Sequence, residues 1–112
     1  MEKKIEGVKK VTFSLKGNEA LAFGDFEIWL LKNGDFEFLV RTAEKIEEAI
    51  FLSKNYFVFS TQNKIFIGET DKEGGENLYQ IAEFGAQKII LFKPNQILIQ
   101  NERGTFLSTP LY

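Results

Sequence analysis

Acidic side chains are the first groups in this sequence that could do chemistry, because the chain contains no histidine and no cysteine. It therefore has no imidazole base, no thiol nucleophile and no thiolate metal ligand. The stretch from Asp71 to Glu76 brings carboxylates together and could bind Ca²⁺. It lacks the alternating oxygen ligands and the distal bidentate glutamate of a Ca²⁺ loop, which favours a solvent-exposed hairpin tip.

Catalysis by carboxylates alone, as in a hydrolase, requires two carboxyl groups that face each other across a cleft. Glu47 and Glu48 are adjacent in the sequence, and adjacent side chains of a strand point to opposite faces of a sheet. The sequence also lacks the glycine-rich loops that bind nucleotide phosphates. We therefore predict a protein that is not an enzyme and that needs no cofactor and no metal.

Composition and charge favour one β-rich domain. The chain has 112 residues, of which 12 are phenylalanine, and aromatic and β-branched residues pack well on pleated sheets. With 14 basic and 16 acidic residues the net charge is −2, so no overall positive field attracts nucleic acid or a membrane surface. The lysines near the start are typical of a protected sheet edge. We therefore expect no nucleic-acid or membrane partners. We also expect a cytoplasmic protein, because no apolar stretch has the length of a signal peptide.

The sequence repeats itself about three times. A shift of 37 residues places Asn18 on Asn55, and a further shift of 40 places Asn55 on Asn95. The same two shifts align Ile28-Trp29-Leu30 with Ile65-Phe66-Ile67 and then with Thr105-Phe106-Leu107. Repeats of this length are typical of supersecondary units that bury their apolar faces only against each other.

Each unit is predicted to contain short strands, because its apolar residues come in short runs that polar turns separate. In the first unit we predict strands at 11–15, 20–23, 27–31 and 36–41, with Asn33-Gly34 as the tight turn of the last hairpin. The third unit has predicted strands only at 88–93, 96–100 and 105–108, which gives sheets of 4, 4 and 3 strands. The predicted single domain has units at about 8–45, 46–85 and 86–112, and residues 1–7 are a candidate closing strand.

The segment VKKVTFSLKGNEALAFGDFEIWLL resembles a blade of a WD-repeat-type β-propeller, through its Phe-Ser, its Gly-Asn turn and its Ile-Trp pair. The resemblance implies an all-β fold of three repeats of four antiparallel strands, a central channel, and binding of proteins at the loops. Because propellers have four to eight blades, three blades imply that a second copy completes the ring as a homodimer, or that another propeller fragment does. The expected function is an interaction or scaffold module.

A β-trefoil is the alternative fold, because a trefoil also has three repeats of four strands and termini that pair. In that case the expected function is that of a small lectin that binds carbohydrate. Both alternatives are all-β folds.

The loops between the second and third strands of each unit are the predicted interaction surface. Asp25, Gln62 and Glu102 are equivalent by the two shifts but differ in charge, which favours one asymmetric protein surface over three identical ligand sites. Arg41 and Arg103 are candidate anchors, because arginine is enriched at interface hot spots. Trp29, with its equivalents Phe66 and Phe106, is predicted to lie in the core between units.

Overall fold

The structure is a computed structural model that describes residues 4–71 and 78–111, and these residues form eleven β-strands. The strands make three antiparallel sheets in which strands that follow each other in sequence are paired. Sheet 1 contains β1 (Lys10–Phe13), β2 (Ala20–Phe23), β3 (Glu27–Lys32) and β4 (Asp35–Arg41). Sheet 2 contains β5 (Ile46–Phe51), β6 (Tyr56–Thr61), β7 (Ile65–Glu69) and β8 (Leu78–Ala82). Sheet 3 contains β9 (Lys88–Lys93), β10 (Gln96–Asn101) and β11 (Gly104–Leu107).

The prediction of an all-β chain with three antiparallel repeats of 4, 4 and 3 strands is therefore confirmed. The trefoil alternative is not supported, because the sheets are separate and the described residues do not close into a barrel. In the part of the chain that is described, no helix has the length and apolar character needed to cross a bilayer.

Most predicted strand positions agree with the observed ones. β2 and β9 begin and end at the predicted residues, whereas β1 ends two residues earlier than expected, at Phe13. The tight turn at Asn33-Gly34 is confirmed, since both residues have the positive φ angles, 53° and 76°, that such a hairpin requires.

Two predicted segments lie wholly or partly outside the described residues. The acidic stretch Asp71 to Glu76 is described only at Asp71, and the candidate closing strand only from residue 4. Residues 4–9 contain no strand in the single chain, and the closing strand stays a prediction.

Strand pairing shows which residues hold the same position in the three sheets. Leu21 pairs with Leu30, Val58 with Ile67, and Leu98 with Leu107. These are the pairs that the shifts of 37 and 40 predict. Because side chains alternate between the two faces of a sheet, equivalent residues face the same way in each unit.

Two apolar clusters join the sheets. The first lies between sheets 1 and 2 and the second between sheets 2 and 3. Neighbouring residues of β6 enter different clusters, because Phe57 and Phe59 face sheet 1 whereas Val58 faces sheet 3. In β5, β6 and β7 the middle sheet is thus mainly apolar and covered on both faces, whereas β8 is largely exposed. The three sheets stack into a body of 46 × 26 × 25 Å.

The first strands of the sheets, β1, β5 and β9, lie next to each other along this stack. Between β1 and β5, Lys10 Nζ lies 3.0 Å from both carboxylate oxygens of Glu48. The Glu48 side chain is only 4% exposed, and the Lys10 side chain is 50% exposed. The pair therefore compensates a buried carboxylate at the junction of two sheets.

We expect Lys10→Met to lower the free energy of unfolding by about 2 kcal/mol, because a buried polar group without its partner costs about 1–3 kcal/mol and a charged one more. Adding Glu48→Met should restore most of the loss, since removing both partners leaves no buried charge. Urea unfolding at one fixed protein concentration measures both effects. Lys16→Met, at an exposed lysine of the β1–β2 turn, is the control, and an equal loss there would contradict the role of the pair.

Candidate interaction surface

One end of the three sheets carries both the predicted loops and the segments that connect the sheets. We call this end the linker edge. It comprises the turns 24–26, 62–64 and 102–103 and the connecting segments 4–9, 42–45 and 83–87. These parts lie together because consecutive strands of a meander run in opposite directions, so every second connection returns to the same end.

Each connecting segment is fixed at the end of the second strand of a sheet. A Cβ atom at Gly24 would lie 2.0 Å from the carbonyl oxygen of Gly7, so segment 4–9 can lie there only against a glycine. Thr61, the equivalent of Gly24, donates its hydroxyl to Glu44 Oε1 at 2.6 Å. Asn101, the equivalent in sheet 3, donates Nδ2 to the Gly85 carbonyl oxygen at 3.0 Å. Segment 4–9 therefore holds the same place beside sheet 1 as the other two segments hold beside sheets 2 and 3.

Three of the five predicted surface residues lie around one cavity. Gln62, Glu102 and Arg103 line a space of about 340 Å³ between sheets 2 and 3, together with Asn63 and Glu47. The cavity walls are mainly polar, since they carry carboxylates, side-chain amides and one guanidinium group. Glu47 opens into this cavity whereas Glu48 binds Lys10, so these adjacent carboxylates are separated as predicted.

The other two predicted residues lie beside sheet 1. Asp25 and Arg41 line a second space of about 590 Å³, which also contains Glu27, Phe26 and Trp29. It lies at the equivalent position of the linker edge but is lined by sheet 1 with its turn 24–26, by segment 4–9 and by Thr42, and by no residue of sheets 2 and 3. The single chain therefore does not bring the five predicted residues into one surface.

The charged groups of this surface differ in how far they are already paired. Lys9 Nζ lies 3.3 Å from Asp25 Oδ1, and Arg41 Nε donates to Glu27 Oε2 at 3.2 Å. The side chains of Glu102 and Arg103 make no ion pair with any of residues 4–71 and 78–111. The turn of sheet 3 thus presents unpaired charges, while the turn of sheet 1 presents charges in exposed pairs.

Glu44 is the carboxylate of the linker edge whose titration the structure changes most clearly. The Thr61 hydroxyl that donates to Glu44 holds its pKa below the ordinary value of 4.5, and the Asn63 amide, at 3.2 Å, acts in the same direction. Lys64 adds a favourable charge, while partial desolvation opposes the shift. These bonds to the ionised form tie segment 42–45 to the end of β6.

Because the folded state lowers the pKa of Glu44, ionised Glu44 stabilises the fold above pH 4.5 and loses this effect as the pH falls through its folded pKa. We therefore expect Glu44→Gln to lower Tm at pH 7, and we expect this Tm difference to shrink as the pH falls below 4.5 through the folded pKa of Glu44. Thermal melts of both proteins across this pH range measure the difference. Glu37→Gln, at an exposed residue of β4, should show no such convergence, and a constant Tm difference for Glu44→Gln would contradict the assignment.

The largest feature that the sequence reasoning missed is an uncovered apolar face at each end of the stack. The free face of sheet 1 is the side away from sheet 2, as the pairing of Val11 with Ala22, Phe13 with Ala20 and Trp29 with Phe38 shows. Phe13 is 68% exposed there, and the rings of Trp29 and Phe38 are 5.2 Å apart in an edge-to-face contact. Trp29 is thus half-buried by its own sheet and not placed between two sheets as predicted.

The free face of sheet 3 is the side away from sheet 2. It contains Ile90, Leu98 and Leu107, which pair with one another across the three strands. Ile90 and Leu107 are exposed. Phe66, the equivalent of Trp29, stacks on Phe59 at 5.0 Å and packs against the first cluster. The repeat therefore indicates that the position of Trp29 is one that a neighbouring sheet covers in sheet 2.

Comparison with protein-family models and with curated proteins finds no match for this sequence. Within the described residues, no three side chains of the metal-binding types lie close enough together to hold a metal ion. The candidate interaction surfaces of the chain are therefore the two free apolar faces and the polar linker edge.

Proposed function

We propose that the chain is a non-enzymatic interaction module in which two copies complete a ring of six sheets of the β-propeller type. In this ring the free face of sheet 3 of each copy packs on the free face of sheet 1 of the other. The linker edges of the two copies then form one continuous surface that binds further proteins.

The observation that carries this proposal is that the two free faces carry the positions that are packed against each other between successive sheets of the same chain. The side of sheet 1 that packs on sheet 2 carries Leu21 and Leu30, and the equivalent side of sheet 2 carries Val58 and Ile67. On sheet 3 the same positions are Leu98 and Leu107, and they are uncovered. Sheet 3 thus presents the surface that sheets 1 and 2 use to bind their next neighbour.

The free face of sheet 1 has the complementary character. Its residues Val11, Phe13 and Trp29 are equivalent by pairing to Ala49, Phe51 and Phe66. Ala49 and Phe51 are buried in the first cluster, and Phe66 packs against it. Small Ala20 and Ala22 stand where sheet 2 has Phe57 and Phe59, and the exposed Phe13 and half-buried Trp29 supply the aromatic surface of this face.

A second copy is the partner that these faces specify, because every copy carries both halves of the interface. An apolar face of this kind marks an interaction site in a protein of this size. Two sheets that pack on each other with interdigitated side chains give the close-packed contact that the internal clusters already show. The six sheets of two copies also fall in the range of four to eight that propeller rings use.

The homodimer predicts a particle of twice 12.9 kDa in light scattering after size exclusion. Phe13→Glu and Leu107→Lys should each raise the dimer dissociation constant at least about 100-fold, because burying one large apolar side chain contributes about 1.5–3 kcal/mol and the ring contains each contact twice. Both positions are exposed in the single chain, so the variants should fold.

The matched control is Tyr79→Glu, at a residue of β8 in the middle sheet that is 56% exposed and lies on neither free face. It should leave the particle mass unchanged. A wild-type chain that stays at 12.9 kDa at every concentration would overturn the homodimer. Loss of the dimer in Tyr79→Glu would place the contact elsewhere.

A further inference from the structure

The ring places the turn of sheet 3 of one copy beside the turn of sheet 1 of the other, and this register has a precedent within the chain. Asn63 and Glu102 belong to successive sheets and line the same cavity. By the shift of 40, Arg103 is the equivalent of Asn63, and by the two shifts together Asp25 is the equivalent of Glu102. Arg103 of one copy therefore enters the same cavity as Asp25 of the other.

The charges at these two positions are opposite. Asp25 is half exposed and pairs with Lys9 at 3.3 Å, and it lines the uncovered space beside sheet 1 together with Glu6, Glu27 and Arg41. The Arg103 guanidinium makes no ion pair with the described residues of its own chain. Its backbone N–H donates to Asn101 Oδ1 at 2.8 Å, which fixes the turn that carries it.

The same register also brings two like charges together. Lys88 pairs with Gln100 as Lys10 pairs with Phe23, so Lys88 of one copy and Lys10 of the other hold adjacent positions on the first strands. Lys10 is already neutralised by Glu48 of its own chain at 3.0 Å. Arg103 has no such partner among the described residues, and Asp25 is paired only with the partly exposed Lys9, so the contact of Arg103 with Asp25 is the one that can select the partner.

We propose that Asp25 of one copy and Arg103 of the other form an ion pair at both junctions of the ring, and that this pair selects a second copy of the chain as the partner. The inference rests on the proposed homodimer and adds which residues of the two copies lie opposite each other. It also joins four of the five predicted surface residues into one composite site, because Asp25 and Arg41 come from one copy and Glu102 and Arg103 from the other. Gln62 remains in the cavity between sheets 2 and 3. Exposed ion pairs contribute little to affinity, but a like-charge pair at the same place opposes the wrong partner.

Charge exchange tests the register. Asp25→Arg and Arg103→Asp should each weaken the homodimer about fivefold at each contact, and hence about 25-fold for a ring with two contacts. When the two variants are mixed, both junctions of a heterodimer carry opposite charges again, so the mixture should recover the wild-type dissociation constant. Light scattering of each variant and of the mixture gives these constants.

The matched controls are Glu37→Arg and Lys54→Asp, which reverse charge at exposed positions away from the linker edge. Neither should weaken the dimer, and mixing them should change nothing. Recovery on mixing also shows that both variants are folded, and circular dichroism melts of each variant give a second check.

The outcomes separate this inference from the proposed function. A wild-type monomer overturns both. A wild-type dimer that Phe13→Glu dissociates, but that Asp25→Arg and Arg103→Asp leave intact, overturns the ion pair and retains the ring. Variants that weaken the dimer singly and do not recover on mixing also overturn the pair.

Discussion

The packing of apolar side chains on both faces of the middle sheet is the constraint on which the rest of the structure depends. A sheet in water usually covers one face and solvates the other, which gives alternating apolar and polar residues. In β6 the run Phe57, Val58, Phe59 is apolar throughout and buried throughout. Sheet 2 can exist in this form only because sheets 1 and 3 lie on its two sides, and this requirement sets the order of the stack.

The same constraint explains why the ends of the stack differ from its middle. Sheets 1 and 3 have apolar residues on both faces, as sheet 2 has, but each has only one neighbouring sheet. Each therefore keeps one apolar face uncovered, at positions that are covered in sheet 2. Contacts at the linker edge hold the connecting segments in place. Gly7, Glu44 and Gly85 occupy equivalent places in units 1, 2 and 3, each against the end of the second strand of its sheet. The apolar clusters thus supply the attraction, and the connecting segments supply the alignment.

Much of this fold was predictable from the sequence, because short apolar runs and turn residues are local signals. β2, β9 and the Asn33-Gly34 hairpin followed directly from such signals. A constant shift could not predict on which face of its sheet each side chain of the first strand lies. Phe13 and Ala20 pair across six intervening residues, whereas their equivalents in unit 2, Phe51 and Phe57, pair across five. Val11 is therefore equivalent to Ala49 and not to Glu48, as a shift of 37 implies. A slip of one residue reverses every side chain between the two faces. The uncovered faces therefore became visible only with the strand pairing. The predicted loop residues divided between two cavities because sheets 1 and 3 lie at opposite ends of the stack.

The two end faces are different surfaces, and this difference has a consequence beyond a single pair of chains. Contacts between unlike surfaces propagate from copy to copy, and they close only when the rotation from one end of a subunit to the other adds up to a full turn. In the proposed ring, the part of that rotation that lies within each copy is fixed by the side chains packed between sheets 1 and 2 and between sheets 2 and 3. A change of volume in either apolar cluster would alter the angle of each step in this proposed ring and turn a closed assembly into an open, helical polymer. Core packing would then control whether growth of that assembly stops, as well as how stable each copy is.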